Sequence, residues 1–111
     1  MNFRFGTEFE IELCMFNRNF YIYITTNEAK SVLYVGITRN LKKRIQEHFE
    51  NRGKQGSFAG RYYCYNLIYY EHFASASSAI EREEEIKNLI RRKKEELITI
   101  RNPEWRFLRP K

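Results

Sequence analysis

Five polar side chains with the chemistry to bind anions, hold a cation or move a proton occur in this chain of 111 residues. Two are tyrosines, Tyr23 and Tyr34, each in a short stretch that alternates aliphatic with aromatic residues. Arg44 and His48 are one helical turn apart and project side by side from a helix. Glu83 falls inside the apolar stripe of a later helix. A carboxylate there needs a cation, a metal ion or a hydrogen-bond donor as its partner.

The positive charge of the chain is concentrated in one quarter of its length. The formal net charge is +6, and the segment Arg39–Tyr63 contains seven basic and two acidic side chains, a net charge of +5. Such a segment suits a polyanion that is held through its phosphates, although an ordinary solvated helix face has the same composition. The residues expected to contact nucleic acid are Arg39, Lys42, Lys43, Arg52, Lys54 and Arg61.

Length and composition indicate one globular domain in the cytoplasm. Apolar residues make up 42% of the chain, which excludes bulk disorder. No apolar run approaches the ~20 residues of a membrane helix, and the first residues lack the layout of a signal peptide. Cys14 and Cys64 have no metal-like spacing and are expected to be reduced thiols rather than a disulfide.

The two tyrosines are predicted to share one face of a β-hairpin. Strands near Phe20–Thr25 and Val32–Thr38 alternate in character, so Tyr23 and Tyr34 lie together if the aliphatic faces pack on the core. Gly36 beside them leaves room for a ligand backbone or for the helix that follows.

A basic helix is predicted after Asn40, its N-cap. Its sheet-facing stripe consists of Leu41, Ile45 and Phe49, with Arg44 and His48 on a neighbouring stripe. A mobile glycine-containing basic loop ending at Tyr63 and a third strand near Tyr65–Phe73 follow.

A second long helix is predicted from about Ser77 to Arg91. Its apolar stripe consists of Ala76, Ala79, Ile80, Ile86 and Ile90. The charged run 91–96 is expected to be a solvated helix end, or to continue as a short third helix through Ile100. Pro103 ends the helical region. The tail residues predicted to fold back are Trp105, Phe107 and Leu108.

Residues 1–19 form an N-terminal extension with two alternative interpretations. The alternation in Phe9–Leu13 is typical of an additional edge strand, whereas a flexible leader fits the segment equally well.

The order strand, strand, basic helix, strand and helix with one inward glutamate resembles the GIY-YIG endonuclease superfamily, in its small single-domain bacterial branch. The first motif matches Tyr21–Tyr23 and the second matches Tyr34–Gly36. The family's later arginine, histidine, metal-binding glutamate and asparagine match Arg44, His48, Glu83 and Asn102. The resemblance implies an α/β (α+β) domain over residues 20–111, with a small central antiparallel three-stranded sheet flanked by helices.

The first motif departs from the family name, because Tyr21 stands where the name has glycine. Tyr23, the functional member of the motif, is present. With no appended DNA-binding domain expected, target selection is assigned to the basic helix and loop or to a partner protein.

The resemblance implies metal-dependent hydrolysis of DNA phosphodiester bonds, in DNA repair or recombination, by a monomer or weak dimer. Glu83 would hold one Mg²⁺ or Mn²⁺, and Arg44 would bind a phosphate oxygen. Tyr34 would position the attacking water and take its proton, assisted by Tyr23. A free tyrosine has a pKa of about 10, so this role needs help from Arg44 or the metal. His48 would share the proton transfer or bind phosphate.

Each residue also has an alternative role that is only structural. The tyrosines suit packing, Arg44 and His48 suit a helix surface, and Glu83 suits a buried salt bridge to Arg44. Asn102, expected to orient a tyrosine or metal-bound water, is equally suited to a turn before Pro103. Together the first five favour the nuclease.

Two other functions are compatible with the same residues. The first is a non-catalytic module that holds branched or nicked DNA on the same surface. The second is a scaffold that binds only protein, which leaves the clustered positive charge unexplained.

Overall fold

The computed structural model describes residues 18–110. In chain order the elements are β1 (Phe20–Thr26), β2 (Leu33–Thr38), α1 (Leu41–Glu50), α2 (Phe58–Arg61), β3 (Asn66–Phe73), α3 (Ala76–Lys87) and α4 (Arg91–Arg101). The strands form one antiparallel sheet in the order β2-β1-β3, flanked by helices. The predicted α+β class and three-stranded sheet are therefore confirmed. The strand predicted at 9–13 and Cys14 lie outside the described residues.

β1 and β2 form the predicted hairpin. Tyr23 lies opposite Gly36, and Thr25 lies opposite Tyr34. Because partners across a ladder share a face and every second residue returns to it, both tyrosines lie on the same surface. The connecting loop is held by Asn27, whose Oδ1 accepts two backbone N–H groups at the far end of the loop, at 2.8 and 3.0 Å.

The two faces of the sheet form separate packing layers. The aliphatic layer contains Ile22, Ile24, Val35, Ile37, Ile68, Ala79, Ile86 and Ile98. The aromatic layer contains Tyr23, Leu41 and Leu67, with Tyr21, Tyr34, Ile45 and Leu108 partly buried against it. Since α3 and α4 supply the first layer and α1 supplies the second, the helices cover opposite faces of the sheet.

The buried stripe of α1 differs from the predicted one. Asn40 caps the helix by accepting a backbone N–H of the first turn at 3.0 Å, as predicted. Leu41 and His48 are buried, whereas Phe49 is 41% exposed. The prediction that Phe49 faces the sheet is therefore wrong. The Phe49 ring instead packs beneath the Arg52 guanidinium, which lies 3.9 Å from the ring centroid. Burial of His48 is possible because its side chain makes a hydrogen bond to Tyr23.

The segment between α1 and β3 contains the one-turn helix α2 where an open loop was predicted. Ser57 accepts the Gly60 N–H at 3.1 Å, and the Gly53 N–H donates to the Gly60 carbonyl at 2.8 Å. A Cβ added to Gly60 would lie 2.6 Å from the Lys54 carbonyl oxygen and 2.7 Å from that of Asn51. This close backbone approach requires glycine.

The helix predicted from Ser77 to Arg91 is shorter than expected, and the predicted alternative of a separate third helix after it is confirmed. α3 ends at Lys87, and Ile90 has an extended conformation at the start of α4. The charged residues that follow form the first turns of α4. Ile90 is exposed, so the prediction that it belongs to the buried stripe is wrong. The break redirects the chain, and Ile98 of α4 then packs in the same aliphatic layer as α3.

The C-terminal tail returns to the sheet at two of the three predicted residues. Trp105 packs against the aliphatic layer, and the Leu108 N–H donates to the Leu67 carbonyl at 2.7 Å. Phe107 stays exposed, with the Lys30 ammonium 5.2 Å from its ring centroid. None of the helices within residues 18–110 is both long enough and apolar enough to cross a membrane.

Candidate active site

Tyr23 is the centre of the aromatic layer and is only 1% exposed. It stands opposite Gly36 in the sheet. A Cβ on Gly36 would lie 2.4 Å from both Cζ and Oη of Tyr23, far inside contact distance. The missing side chain of Gly36 therefore makes room for the Tyr23 ring, and not for a ligand backbone or for the next helix as predicted.

The hydroxyl of Tyr23 joins two side chains of α1. Arg44 Nε donates to Tyr23 Oη at 3.2 Å, and Oη lies 2.8 Å from His48 Nε2. Both α1 residues reach this hydroxyl because they are one helical turn apart. The structure thus brings three of the predicted residues into one hydrogen-bond chain.

The charge states of this chain follow from its surroundings. Burial, followed by the positive charge of Arg44, lowers the pKa of His48 to about 4, so the imidazole is neutral at pH 7. Burial also acts to lower the pKa of Arg44, but Tyr23 and the Glu47 carboxylate at 3.1 Å hold this pKa above its ordinary value. Arg44 can only donate. The Tyr23 oxygen therefore accepts from Arg44 and gives its proton to His48 Nε2.

Tyr34 joins the same group through its ring. Its centroid lies 5.3 Å from that of His48 and 6.3 Å from that of Tyr23. On its other side, Phe58 of α2 stacks at 6.3 Å with an interplanar angle of 23°. We call Tyr23, Tyr34, Arg44 and His48 the tyrosine cluster. Phe58 was missed from the sequence because α2 was not predicted.

Glu83 lies on the other face of the sheet from the tyrosine cluster. It is 3% exposed and belongs to the stripe of α3 that carries Ala79 and Ile86, both in the aliphatic layer. Its carboxylate pairs with Lys87 Nζ at 3.5 Å. Its burial is as predicted, whereas the alternative of a salt bridge to Arg44 is wrong, since Arg44 pairs with Glu47.

The donors present suit a divalent cation that takes few protein ligands. Within residues 18–110, no group of three or more His, Cys, Asp or Glu side chains is arranged to hold a metal. Mg²⁺ commonly takes one or two carboxylates and completes its shell with water and substrate phosphate. One hard carboxylate oxygen donor, Glu83, fits this pattern and does not fit a closed structural zinc site.

Asn102 anchors the C-terminal tail. Its Nδ2 donates to the carbonyls of Ile68 and Arg106, each at 2.9 Å, and its Oδ1 accepts the Arg106 N–H at 3.1 Å. Both amide hydrogens and one oxygen lone pair are therefore used on backbone groups. This arrangement supports the turn interpretation over the orientation of a tyrosine or of water.

The predicted basic residues fall into two groups around α1. Arg39 and Lys42 line a cleft at the N-terminal end of the helix. Arg52, Lys54 and Arg61 follow its C-terminal end, and Lys43 is exposed on the helix itself. The same cleft is lined by residues that the sequence analysis did not assign, namely Tyr21, Tyr70 and Arg109.

The position of Tyr70 could not be read from the sequence. It lies directly opposite Tyr23 in the sheet. The pairing of β1 with β3 shifts between Ile24 and Thr25, so simple alternation along β3 does not identify which tyrosine shares the aromatic face.

Comparison with known proteins identifies a consistent set of relatives. The GIY-YIG catalytic domain profile matches residues 19–96. A UPF0213 protein of Natronomonas pharaonis is 37% identical over 78 residues, covering 70% of this chain and 88% of that protein. One from Syntrophus aciditrophicus is 39% identical over 85 residues, covering 76% and 93%. A solution NMR structure of a Bacillus halodurans UPF0213 protein has 29% identity and a TM-score of 0.49, covering 78% of this chain and 89% of that one.

Proposed function

Because the chain belongs to the GIY-YIG catalytic domain family, we propose that it is an endonuclease that hydrolyses DNA phosphodiester bonds with a divalent metal ion. The family supports a nuclease-type function. The observation that carries the proposal to this chain is the hydrogen-bond chain from Arg44 through Tyr23 to His48. Phosphodiester hydrolysis requires charge stabilisation and a group that accepts a proton from water. The hydrogen-bonded group contains a cation, Arg44, joined through Tyr23 to a neutral imidazole, His48, that can accept a proton.

Arg44 is the proposed phosphate-binding residue. Its Nε donates to Tyr23 and its Nη1 donates to Glu47. A guanidinium has five N–H donors, so three remain to bind the non-bridging oxygens of a phosphate. Its raised pKa keeps it charged at neutral pH.

Tyr23 and His48 are the proposed proton-transfer pair. When the Tyr23 oxygen accepts a proton from the attacking water, its own proton passes to His48 Nε2. The low pKa of His48, about 4, opposes this step in the free protein. A phosphate bound at Arg44 would offset the guanidinium charge and remove one of the two causes of that low pKa. Substrate binding therefore prepares the pair for proton transfer, and Tyr34, beside His48, positions the water.

Glu83 is the proposed ligand of one Mg²⁺ or Mn²⁺. When bound, the cation would stabilise negative charge on the phosphate and leaving group. Glu83 belongs to the stripe of α3 that carries Ala79 and Ile86 of the aliphatic layer, and α3 packs over β1 and β2.

The test is cleavage of flap, branched and plain duplex DNA in Mg²⁺ or Mn²⁺. Glu83→Gln should lose the metal-dependent product, and Arg44→Ala should lose cleavage with every substrate. The matched controls are Glu84→Ala, an exposed neighbour on α3, and Gln46→Ala, an exposed residue of α1. Full activity of Glu83→Gln would contradict the assignment of Glu83 as the metal ligand.

A non-catalytic DNA-binding module is the second candidate. The observation in its favour is the burial of Glu83 and its pairing with Lys87, an ion pair that a metal ion would have to replace. It predicts DNA binding without metal dependence and no product. Charge reversal at Lys42, Lys43 and Arg52 should abolish this binding, and retained binding would count against the basic surface.

A further inference from the structure

A cleft of about 420 Å³ opens at the N-terminal end of α1. Its volume falls within the roughly 300–1,000 Å³ of small-ligand sites. Its described lining residues are Asn19, Tyr21, Arg39, Asn40, Leu41, Lys42, Tyr70, Arg109 and Pro110. We call this site the basic cleft.

Aromatic rings form one wall of the basic cleft. Tyr21 and Tyr70 meet edge to face, with ring centroids 6.2 Å apart, and the His72 ring also contacts Tyr21, at 5.2 Å between centroids. Tyr70 is 39% exposed. This wall exists because Tyr21 occupies the position where the first motif of the family has glycine, and a glycine there would leave Tyr70 without its ring neighbour.

The charged side chains among the described lining residues of the basic cleft are all positive. Three of its described lining residues, Arg39, Lys42 and Arg109, are cationic, and none of the described ones is a carboxylate. A concave site that combines aromatic faces with several cations complements a nucleotide, which has a flat base and an anionic phosphate.

The basic cleft borders the tyrosine cluster. Tyr21 is two residues before Tyr23 on the same face of β1, a separation of about 7 Å. Leu41, which lines the cleft, lies one helical turn before Arg44, or about 5 Å along the helix axis. A DNA strand that binds Arg44 through one phosphate can therefore place its next nucleotide in the basic cleft.

We propose that the basic cleft binds an unpaired nucleotide of the DNA strand, next to the phosphate that is cleaved. The base packs against Tyr70 and Tyr21, and the phosphate is held by Arg39, Lys42 and Arg109. A base within a duplex is covered on both faces by its neighbours and cannot offer a face to this wall, so the occupant is unpaired. The inference rests on the proposed function for its substrate, and it specifies DNA with a single-stranded arm or gap.

The binding test uses the full chain and a fluorescent single-stranded oligodeoxynucleotide in EDTA, so that cleavage does not interfere. Tyr70→Ala should weaken binding about 10-fold, as expected for losing one stacked base, and Tyr70→Phe should bind like the wild type. Phe107→Ala removes an exposed ring beside the hairpin loop and should have no effect. Equal binding by Tyr70→Ala and Tyr70→Phe, or no binding by the wild type, would overturn the proposal.

A second variant, at Arg109, tests the basic cleft even if the substitutions at Tyr70 disturb folding. Arg109→Ala should lower the slope of log affinity against log salt by about 0.7, the value for one phosphate contact on a single strand. Arg92→Ala, on the exposed face of α4, should leave the slope unchanged. An unchanged slope in Arg109→Ala would contradict the phosphate assignment.

Cleavage assays separate failure of this site from failure of the proposed nuclease. With the site correct, Tyr70→Ala should cleave flap DNA at least several-fold more slowly and cleave nicked duplex at the wild-type rate. If Tyr70→Ala loses single-strand binding and the wild type cleaves no substrate, the nucleotide site in the basic cleft is supported and the nuclease function is refuted. Normal cleavage of both substrates by Tyr70→Ala would support the nuclease and refute the cleft.

Discussion

Replacing Gly36 with alanine tests the close packing on which the tyrosine cluster depends. The new Cβ would lie 2.4 Å from Cζ and Oη of Tyr23, whereas ordinary contacts begin near 3.4 Å. The ring would have to move by about 1 Å. Its hydroxyl makes contacts of 2.8 and 3.2 Å, so the same movement breaks or weakens both hydrogen bonds.

The expected cost can be assembled from two effects. Overpacking a well-packed core costs about 1–3 kcal/mol, and each hydrogen bond contributes about 1 kcal/mol. Gly36→Ala should therefore lower the free energy of unfolding by about 3 kcal/mol and abolish cleavage. Urea denaturation followed by circular dichroism measures the first effect, and DNA cleavage measures the second.

Two controls isolate the cause. Gly56→Ala should change stability by less than about 0.5 kcal/mol, since a Cβ there meets nothing within 4 Å. In a Tyr23→Leu background, Gly36→Ala should be nearly neutral, because leucine lacks the Cζ, Oη and Cε2 atoms that it would meet. If Gly36→Ala costs the same in both backgrounds, the ring is not the reason for the glycine.

Three further predictions follow from named contacts. The folded-state pKa of His48 is about 4, against about 6.5 when unfolded, so the unfolded chain binds the extra proton between these values. The contribution of His48 to the free energy of unfolding should have its full value above pH 6.5 and fall by about 3 kcal/mol toward pH 4. The substitution His48→Gln should remove this pH dependence in urea titrations. Asn102→Ala should lower the unfolding free energy by about 1–3 kcal/mol and leave the cleavage rate per folded molecule unchanged. A large loss of cleavage rate with unchanged stability would instead support a role of Asn102 in orienting a tyrosine or water. Cys64 is buried, and burial raises its pKa to about 11, so iodoacetamide should modify it only after denaturation, as mass spectrometry of the Cys64 peptide can show.

The hairpin and its tyrosines could be predicted because they depend on local pattern. A period of two along β1 and β2 places Tyr23 and Tyr34 on one face once the aliphatic faces of both strands pack on the core. The spacing of Arg44 and His48 likewise fixes their common direction on α1. What the sequence lacked was the rotation of α1 about its axis. A buried His48 and an exposed Phe49 reverse the usual order of hydrophobicity, and the hydrogen bond of His48 to the hydroxyl of Tyr23 stabilises the buried histidine.

Longer-range features were not accessible to the same reasoning. The break at Ile90 interrupts a segment whose composition suits a continuous helix, and Ile98 beyond the break packs in the aliphatic layer. The face occupied by α3 decides on which side of the sheet Glu83 lies, and helical periodicity carries no information about this choice. The basic cleft depends on the shifted β1–β3 register and on the returning tail, neither of which leaves a local signal.

The most direct test of the hydrogen-bond chain is the single-turnover cleavage rate of Tyr23→Phe on flap DNA in Mg²⁺, with DNA binding measured in parallel. The substitution keeps the ring over Gly36 and removes only the hydroxyl shared by Arg44 and His48. The account predicts unchanged DNA affinity and a cleavage rate lower by about 100-fold or more, as expected for the loss of a proton-transfer group. Cleavage by Tyr23→Phe at the wild-type rate would contradict it.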